Sequence, residues 1–257
     1  MNVLVTGGTG TLGREVVRLL RQSGHRARIF SRNPRGHVDA VRGDLKTGEG
    51  IDRALAGMEV VVHAASATRE PLRGRSTDVG GTRRMLERAR AASIRHVVFI
   101  SIVGVDRVAY PYYRTKLAAE QEVSEGGVPW STLRATQFHT FVDFLLRGFC
   151  RVPGLCTVPF AWQLQPVHTE EVARRVVDVA LGEPAGMLPD FGGPEVREFK
   201  VLAQAWLAAR GERRRLVNLR VPLKLSEQIR AGGLICPDDR DGALTFDQYL
   251  AERYPTS

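Results

Sequence analysis

Short apolar runs alternate with helix-like segments through the first two thirds of the chain. Asn2 to Thr6, Ala27 to Ser31, Asp39 to Gly43, Glu59 to Ala64, His96 to Ile102 and Trp130 to Ala135 read as strands. Between and after them, Val79, Thr82, Leu86 and Ala89, and later Val172, Val176, Val179 and Ala180, recur at helical spacing. Strands of this kind separated by amphipathic helices predict an α/β fold, a doubly wound parallel sheet with helices on both faces. The later helix carries a start signal: Thr169 suits its cap, and Glu170 and Glu171 suit the positive end of its dipole. After about Cys150 the alternation stops. Pro153, Pro159, Pro166, Pro184, Pro189 and Pro194 break the chain into short pieces. The expected organisation is therefore a core over residues 1–150 and a smaller substrate-side lobe over 151–257, packed as one structural domain overall. There is no internal repeat and no low-complexity tract.

The first strand runs directly into TGGTGTLG, Thr6 to Gly13, and a helix follows. This context turns an ordinary glycine pattern into a dinucleotide-site candidate, because backbone N–H groups and the helix N-terminus can face a pyrophosphate. Gly7 permits the tight turn, Gly10 admits the phosphates, and Gly13 lets helix pack on strand. Thr9, Thr11 and Leu12 are interleaved with them and complete the expected phosphate loop.

Cofactor type is decided at the end of the second strand. A site for NAD usually places an acid there for the ribose 2′-hydroxyl; this chain has Ser31-Arg32-Asn33-Pro34. Arg32 is suited to a 2′-phosphate instead, so NADP(H) is the expected cofactor. Asp44, followed by Leu45, either accepts from the adenine amino group or is a plain turn residue. Ala64, Ala65 and Ser66 supply small residues where backbone must lie close to a ribose or phosphate.

Tyr112 and Lys116 open another predicted helix, with Pro111 as a good first residue. Residues four apart share a helix face, so hydroxyl and ammonium can meet one bound cofactor. A tyrosine of ordinary pKa, about 10, is a poor proton shuttle at neutral pH, and a neighbouring lysine favours its phenolate while donating to a ribose hydroxyl.

Composition narrows the classes. The chain of 257 residues is 43% hydrophobic, enough for an extended core. No apolar run approaches the roughly 18 residues that span a bilayer, and the first strand occupies the N-terminus, so no signal peptide, no membrane partner and a cytoplasmic location are expected. The net charge of +9 comes from 37 basic and 28 acidic residues. Arginines are spread through every segment, with one dense run at Arg213 to Arg215 and no stripe interleaved with aromatics. This reads as a solvated basic surface that favours anionic ligands, and no nucleic-acid partner is expected. Cys150, Cys156 and Cys236 form neither a CxxC pair nor a ligand cluster, so neither a disulfide framework nor a metal site is expected.

From Val3 to about Ala173 the chain resembles the atypical and extended short-chain dehydrogenase/reductases, particularly their NmrA-like NAD(P)H-binding branch. The resemblance rests on TGGTGTLG, SRNP, GDL at Gly43 to Leu45, HAAS at His63 to Ser66, the block from Asp78 to Ser101, YYRTKLAAE from Tyr112 to Glu120, and LRATQFH from Leu133 to His139. It implies a Rossmann-type fold, Tyr112 and Lys116 as the family's acid–base pair, and Gly7, Gly10, Gly13, Arg32 and Asp44 at cofactor positions. Lys116 and Thr136 join the expected cofactor set. Two departures stand out. Ser101, the candidate for the family's catalytic serine, lies early in Ser101-Ile102-Val103-Gly104, and Ala135 stands where the family often has proline.

The first expectation for function is an NADPH-dependent reductase of a small carbonyl, quinone or conjugated apolar substrate. Gln137, Phe138, His139, Phe141, Phe160, Trp162 and Gln165 are its expected pocket, since aromatic walls with a few polar groups suit a flat apolar molecule. His139 either donates to a substrate oxygen or sits at a helix start. The alternatives are a non-catalytic NADP(H) redox sensor, which needs no proton donor, and a nucleotide-sugar epimerase or dehydratase, which usually holds NAD. Substrate, stereochemistry and oligomeric state are left open by the sequence.

Overall fold

The computed structural model describes residues 1–34, 36–66 and 75–255. Its first elements follow the predicted alternation closely: β1 (Asn2–Thr6), α1 (Thr11–Gln22), β2 (Arg26–Ser31), β3 (Ala40–Arg42), α2 (Ile51–Leu55) and β4 (Val60–His63). There follow α3 (Arg75–Ala91), β5 (His96–Ile102), α4 (Pro111–Glu125), β6 (Trp130–Ala135) and α5 (His139–Phe149). The remainder is more broken, with β7 (Leu155–Val158), β8 (Gln163–Leu164), α6 (Thr169–Leu181), β9 (Gly186–Met187) and β10 (Arg197–Glu198). Last come α7 (Phe199–Ala209), β11 (Arg215–Asn218), α8 (Lys224–Arg230) and α9 (Phe246–Arg253).

Seven strands form one sheet in the order β3-β2-β1-β4-β5-β6-β9. β1 pairs parallel with both β2 and β4, so the chain leaves β1 in one direction and later returns to its other side. That reversal is the switch point at which open α/β sheets bind ligands, beyond the carboxyl ends of the strands. The central strands are buried on both faces: Val3, Leu4, Val5, Val60, Val61 and Val62 are each nearly inaccessible. This is why they read as continuous apolar runs rather than alternating ones. On one face, Leu4, Phe30, Val61, Val97 and Phe99 pack with Leu55, Met85, Leu86 and Val123 of the helices. α1 buries Val16, Val17 and Leu20 and turns its arginines outward.

The chain forms two compact units that interleave along the sequence. The first comprises Met1–Ser101, Tyr110–Arg134 and Glu170–Pro189, and the second Ile102–Ala109, Ala135–Thr169 and Asp190–Ser257. The change near residue 150 thus marks where the long strands stop, and the units divide elsewhere. α6 and the two-residue strand β9 belong to the first unit, β9 pairing with β6. A strand so short between prolines has no periodicity to detect. In the second unit β7 pairs with β11 and β8 with β10.

Two local expectations are corrected. Cys150 and Cys156 are joined as a disulfide, while Cys236 is free and buried. The C-terminal end of α5 and the turn containing Pro153 and Gly154 bring the first two together, which spacing alone did not announce. Thr169 does not cap α6 through its side chain: it lies within the helix and its hydroxyl is buried without a hydrogen-bond partner among the described residues. Among those residues no helix is long and apolar enough to cross a membrane.

Candidate functional site

Each glycine of the turn after β1 has its own geometry. Gly7 has φ +68°, a left-handed conformation that favours glycine, and a Cβ there would lie 2.8 Å from the backbone of Ala65. At Gly13 a Cβ would collide with the carbonyl oxygen of Gly7, so helix and turn close on each other only without a side chain. Gly10 differs. Its φ is −81°, and a Cβ would meet only the Gly7 carbonyl oxygen, at 3.1 Å. Its backbone conformation therefore does not require glycine, and its one close neighbour is that carbonyl oxygen. Gly10 is also the N-cap of α1, which has no side-chain cap and no acid in its first turn. Such an end suits an anion. Thr9 and Thr11 flank it, and the side chain of Leu12 is buried, leaving only its backbone to face a ligand.

At the end of β2, the Ser31 hydroxyl shares a 3.0 Å hydrogen bond with the Thr9 hydroxyl, tying strand end to glycine turn. Arg32 is exposed and makes no ion pair among the described residues, so its guanidinium is available to a phosphate. Asp44 accepts from the Lys46 amide at 2.9 Å, which is the geometry of a turn residue. Leu45 is buried in the core beside Gly81.

Register places the ends of β1 and β4 level, Thr6 opposite His63. Their side chains meet at 2.6 Å, and the far nitrogen of His63 lies 2.9 Å from the Thr82 hydroxyl on α3. Burial and the nearby Lys116 charge pull the His63 pKa down to about 3, so the imidazole is neutral and structural. Thr6 also receives the amides of Ala64, on its carbonyl, and Ala65, on its hydroxyl. The Ala64-Ala65-Ser66 segment is thereby fixed against Gly7. The sequence reading did not anticipate this role for Thr6, His63 and Thr82.

α4 starts at Pro111 and buries Tyr112, Thr115, Lys116, Ala119, Glu120 and Val123, a single helical face as expected from the four-residue spacing. Its polar members have partners. The Tyr112 hydroxyl is 2.7 Å from the Ser66 hydroxyl. Lys116 donates to the Ile100 carbonyl at 2.6 Å and lies 4.2 Å from the centre of the Phe99 ring. Glu120 receives two bonds from Arg134 on β6, at 2.9 and 2.7 Å. Burial pulls Lys116 down to about 8, opposed by the carboxylates of Asp78 and Glu120. It pushes the Tyr112 phenol above its ordinary value, with the Ser66 hydrogen bond acting the other way. The phenol is thus held in its protonated form, with desolvation the largest cause. Ser101 is 3% exposed and its hydroxyl has no hydrogen-bond partner among the described residues.

Thr136 and the expected substrate residues belong to the second unit. The Thr136 hydroxyl accepts from the Gly193 amide. Gln137 donates to the Leu234 carbonyl and accepts from the Gln165 amide, and Gln165 in turn bonds Gly193 and both backbone groups of Cys236. These two amides hold the unit's own loops together. His139 begins α5, fully buried among the rings of His168, Phe246 and Tyr249, and burial pulls its pKa down to about 4. Trp162 donates to the Ser226 hydroxyl and stacks on Phe199, while Lys200 lies over Phe160. Phe138 is half-buried, and Phe141 is 46% exposed and stacked on Phe144. Sequence spacing grouped these residues by type; packing gives Gln137, His139, Gln165 and Trp162 internal partners.

A doubly wound sheet with a glycine turn at the β1–β4 switch point defines a dinucleotide-binding α/β protein. A family model for NAD(P)H-binding proteins matches residues 7–141, and the chain belongs to that family. The expected NAD(P)H-binding family is thereby borne out. The chain is 30% identical over 188 residues to a ceramide reductase of Caulobacter vibrioides, covering 68% of this chain and 59% of the relative. It is 29% identical over 148 residues to the photosystem II assembly factor Ycf39 of Trieres chinensis, covering 54% and 46%. It spans about half the length of the curated relatives it matches. Among solved structures, the NAD complex of a Thermus thermophilus UDP-glucose 4-epimerase has a similar fold, with TM-score 0.76, 20% identity and 99% of each chain covered.

Proposed function

We propose that this chain is an NADPH-dependent oxidoreductase that reduces a small carbonyl, quinone or conjugated apolar compound. The observation that carries the reading is the buried face of α4, where Tyr112 and Lys116 lie in the same unit as α1, whose N-cap Gly10 has no side-chain cap. Gly7, Gly10, Gly13 and the α1 N-terminus would hold the pyrophosphate, Arg32 the 2′-phosphate, and Lys116 a ribose hydroxyl. The nicotinamide, when bound, supplies hydride. Tyr112 supplies the proton: its O–H bond breaks as the proton passes to the substrate oxygen. Burial keeps the phenol protonated and so holds the proton to be donated, while its raised pKa makes it a weaker acid than a free tyrosine. The ceramide reductase relative supports a reductase with an apolar substrate.

A second reading is a non-catalytic NADP(H) sensor, which the assembly-factor relative favours. An epimerase or dehydratase is less well supported, since Ser31-Arg32 offers no acid for NAD. NADPH oxidation measured against a panel of quinones, ketones and enones separates these. Sustained turnover on any compound is the expected result; tight NADPH binding without turnover on all of them sinks the reductase in favour of the sensor.

A further inference from the structure

Two serines compete for the role of partner to the tyrosine. Ser101 is the one that position along the chain nominates, yet it is buried in β5 with its hydroxyl unpartnered among the described residues. Ser66, which follows β4, has its oxygen 2.7 Å from that of Tyr112. Its position is not incidental to the turn after β1. Thr6 holds the amides of Ala64 and Ala65, and Ala65 is the residue on which a Cβ at Gly7 would fall. The phenol is therefore anchored to the segment that abuts the glycine turn, all within the first unit.

We infer that Ser66 is the positioning residue for Tyr112 and that Ser101 has no part in holding the phenol. A serine hydroxyl both donates and accepts. While Tyr112 is protonated, the two hydroxyls share one hydrogen bond. When the phenol O–H breaks and its proton leaves to the substrate oxygen, the Ser66 O–H stays intact and donates to the phenolate oxygen. Ser66 thereby stabilises the charge left on the tyrosine and fixes the direction of the phenol, without itself losing a proton. The catalytic consequence rests on the reductase reading above; the hydrogen bond does not.

The test uses the full chain labelled with carbon-13 at tyrosine Cζ, whose resonance responds to hydrogen bonding at the phenol oxygen. The Tyr112 signal is the one lost in Tyr112→Phe. The expected result is that Ser66→Ala moves it, Ser66→Thr leaves it near its parent position, and Ser101→Ala does not move it. On a substrate the parent reduces, kcat falls about tenfold in Ser66→Ala and recovers in Ser66→Thr, the rate equivalent of one hydrogen bond lost in the transition state. An unmoved resonance in Ser66→Ala, or an equal displacement in Ser101→Ala, overturns the inference. Normal turnover by Tyr112→Phe removes Tyr112 as the proton donor, and absence of turnover by the parent on every compound overturns the reductase reading; in either case the resonance, read without substrate, judges Ser66 alone.

Discussion

The Lys116 ammonium donates to the carbonyl oxygen of Ile100 at 2.6 Å, and this bond holds a buried cation against the end of β5. Burial lowers its pKa from the ordinary value to about 8. Between pH 8 and about 10 the unfolded chain therefore binds more protons at this site than the folded one, and stability rises with pH. Below pH 8 both forms are protonated and the burial cost is fully present. We expect denaturant unfolding of the ligand-free protein to show a gain of about 2–3 kcal/mol across that window, from about 1.36 kcal/mol per unit. The gain should be missing in Lys116→Met; a variant with the parent's slope would assign it to another group.

NADPH is expected to bind more tightly than NADH because Arg32 is exposed and unpaired among the described residues while Ser31 is turned to Thr9. A charge-assisted phosphate contact contributes roughly 1.5–3 kcal/mol, about one to two powers of ten in affinity. Titration of both cofactors into the parent and Arg32→Ala checks it. The preference should collapse in the variant, and equal affinities in the parent would remove the assignment.

The glycines of the turn should separate folding from binding. Gly10→Val is expected to keep a folded circular dichroism spectrum and abolish NADPH binding, since its φ of −81° suits any residue, its Cβ meets only the Gly7 carbonyl oxygen at 3.1 Å, and the side chain projects where the pyrophosphate would approach the backbone. Gly13→Ala should instead lower stability by about 1–3 kcal/mol through overpacking against the Gly7 carbonyl. Normal NADPH binding by Gly10→Val would put the phosphates elsewhere.

Tyr112→Phe removes one hydroxyl from a side chain that otherwise stays buried. It should retain NADPH binding and lose about 10²–10⁴-fold in turnover, the usual size of a general-acid contribution. Stopped-flow and steady-state measurements on one reduced substrate test the split. Near-normal kcat would leave proton delivery to water and remove Tyr112 from the chemistry.

Several features are readable from the chain alone. The strands predicted over β1, β4 and β5 match closely because those elements are buried on both faces and therefore uninterrupted in their apolar runs. Pro111 at the start of α4, and the common face of Tyr112 and Lys116, follow from helical geometry. β9 escaped because two residues cannot display a period.

Periodicity, turn glycines and the basic residue after β2 were thus determined by the sequence, since each expresses a local rule of backbone geometry or charge. Partners were decided only by the tertiary structure. Tyr112 finds Ser66 across a separation of 46 residues, and Lys116 finds Ile100 across 16. Gln137 and Gln165 spend their amides on loops far along the chain, and Cys150 meets Cys156 at the turn that follows α5. A hydrogen bond depends on where strand order and loop path deliver two atoms to within about 3 Å. Residue type and spacing specify which groups can bond; the fold selects which of them meet.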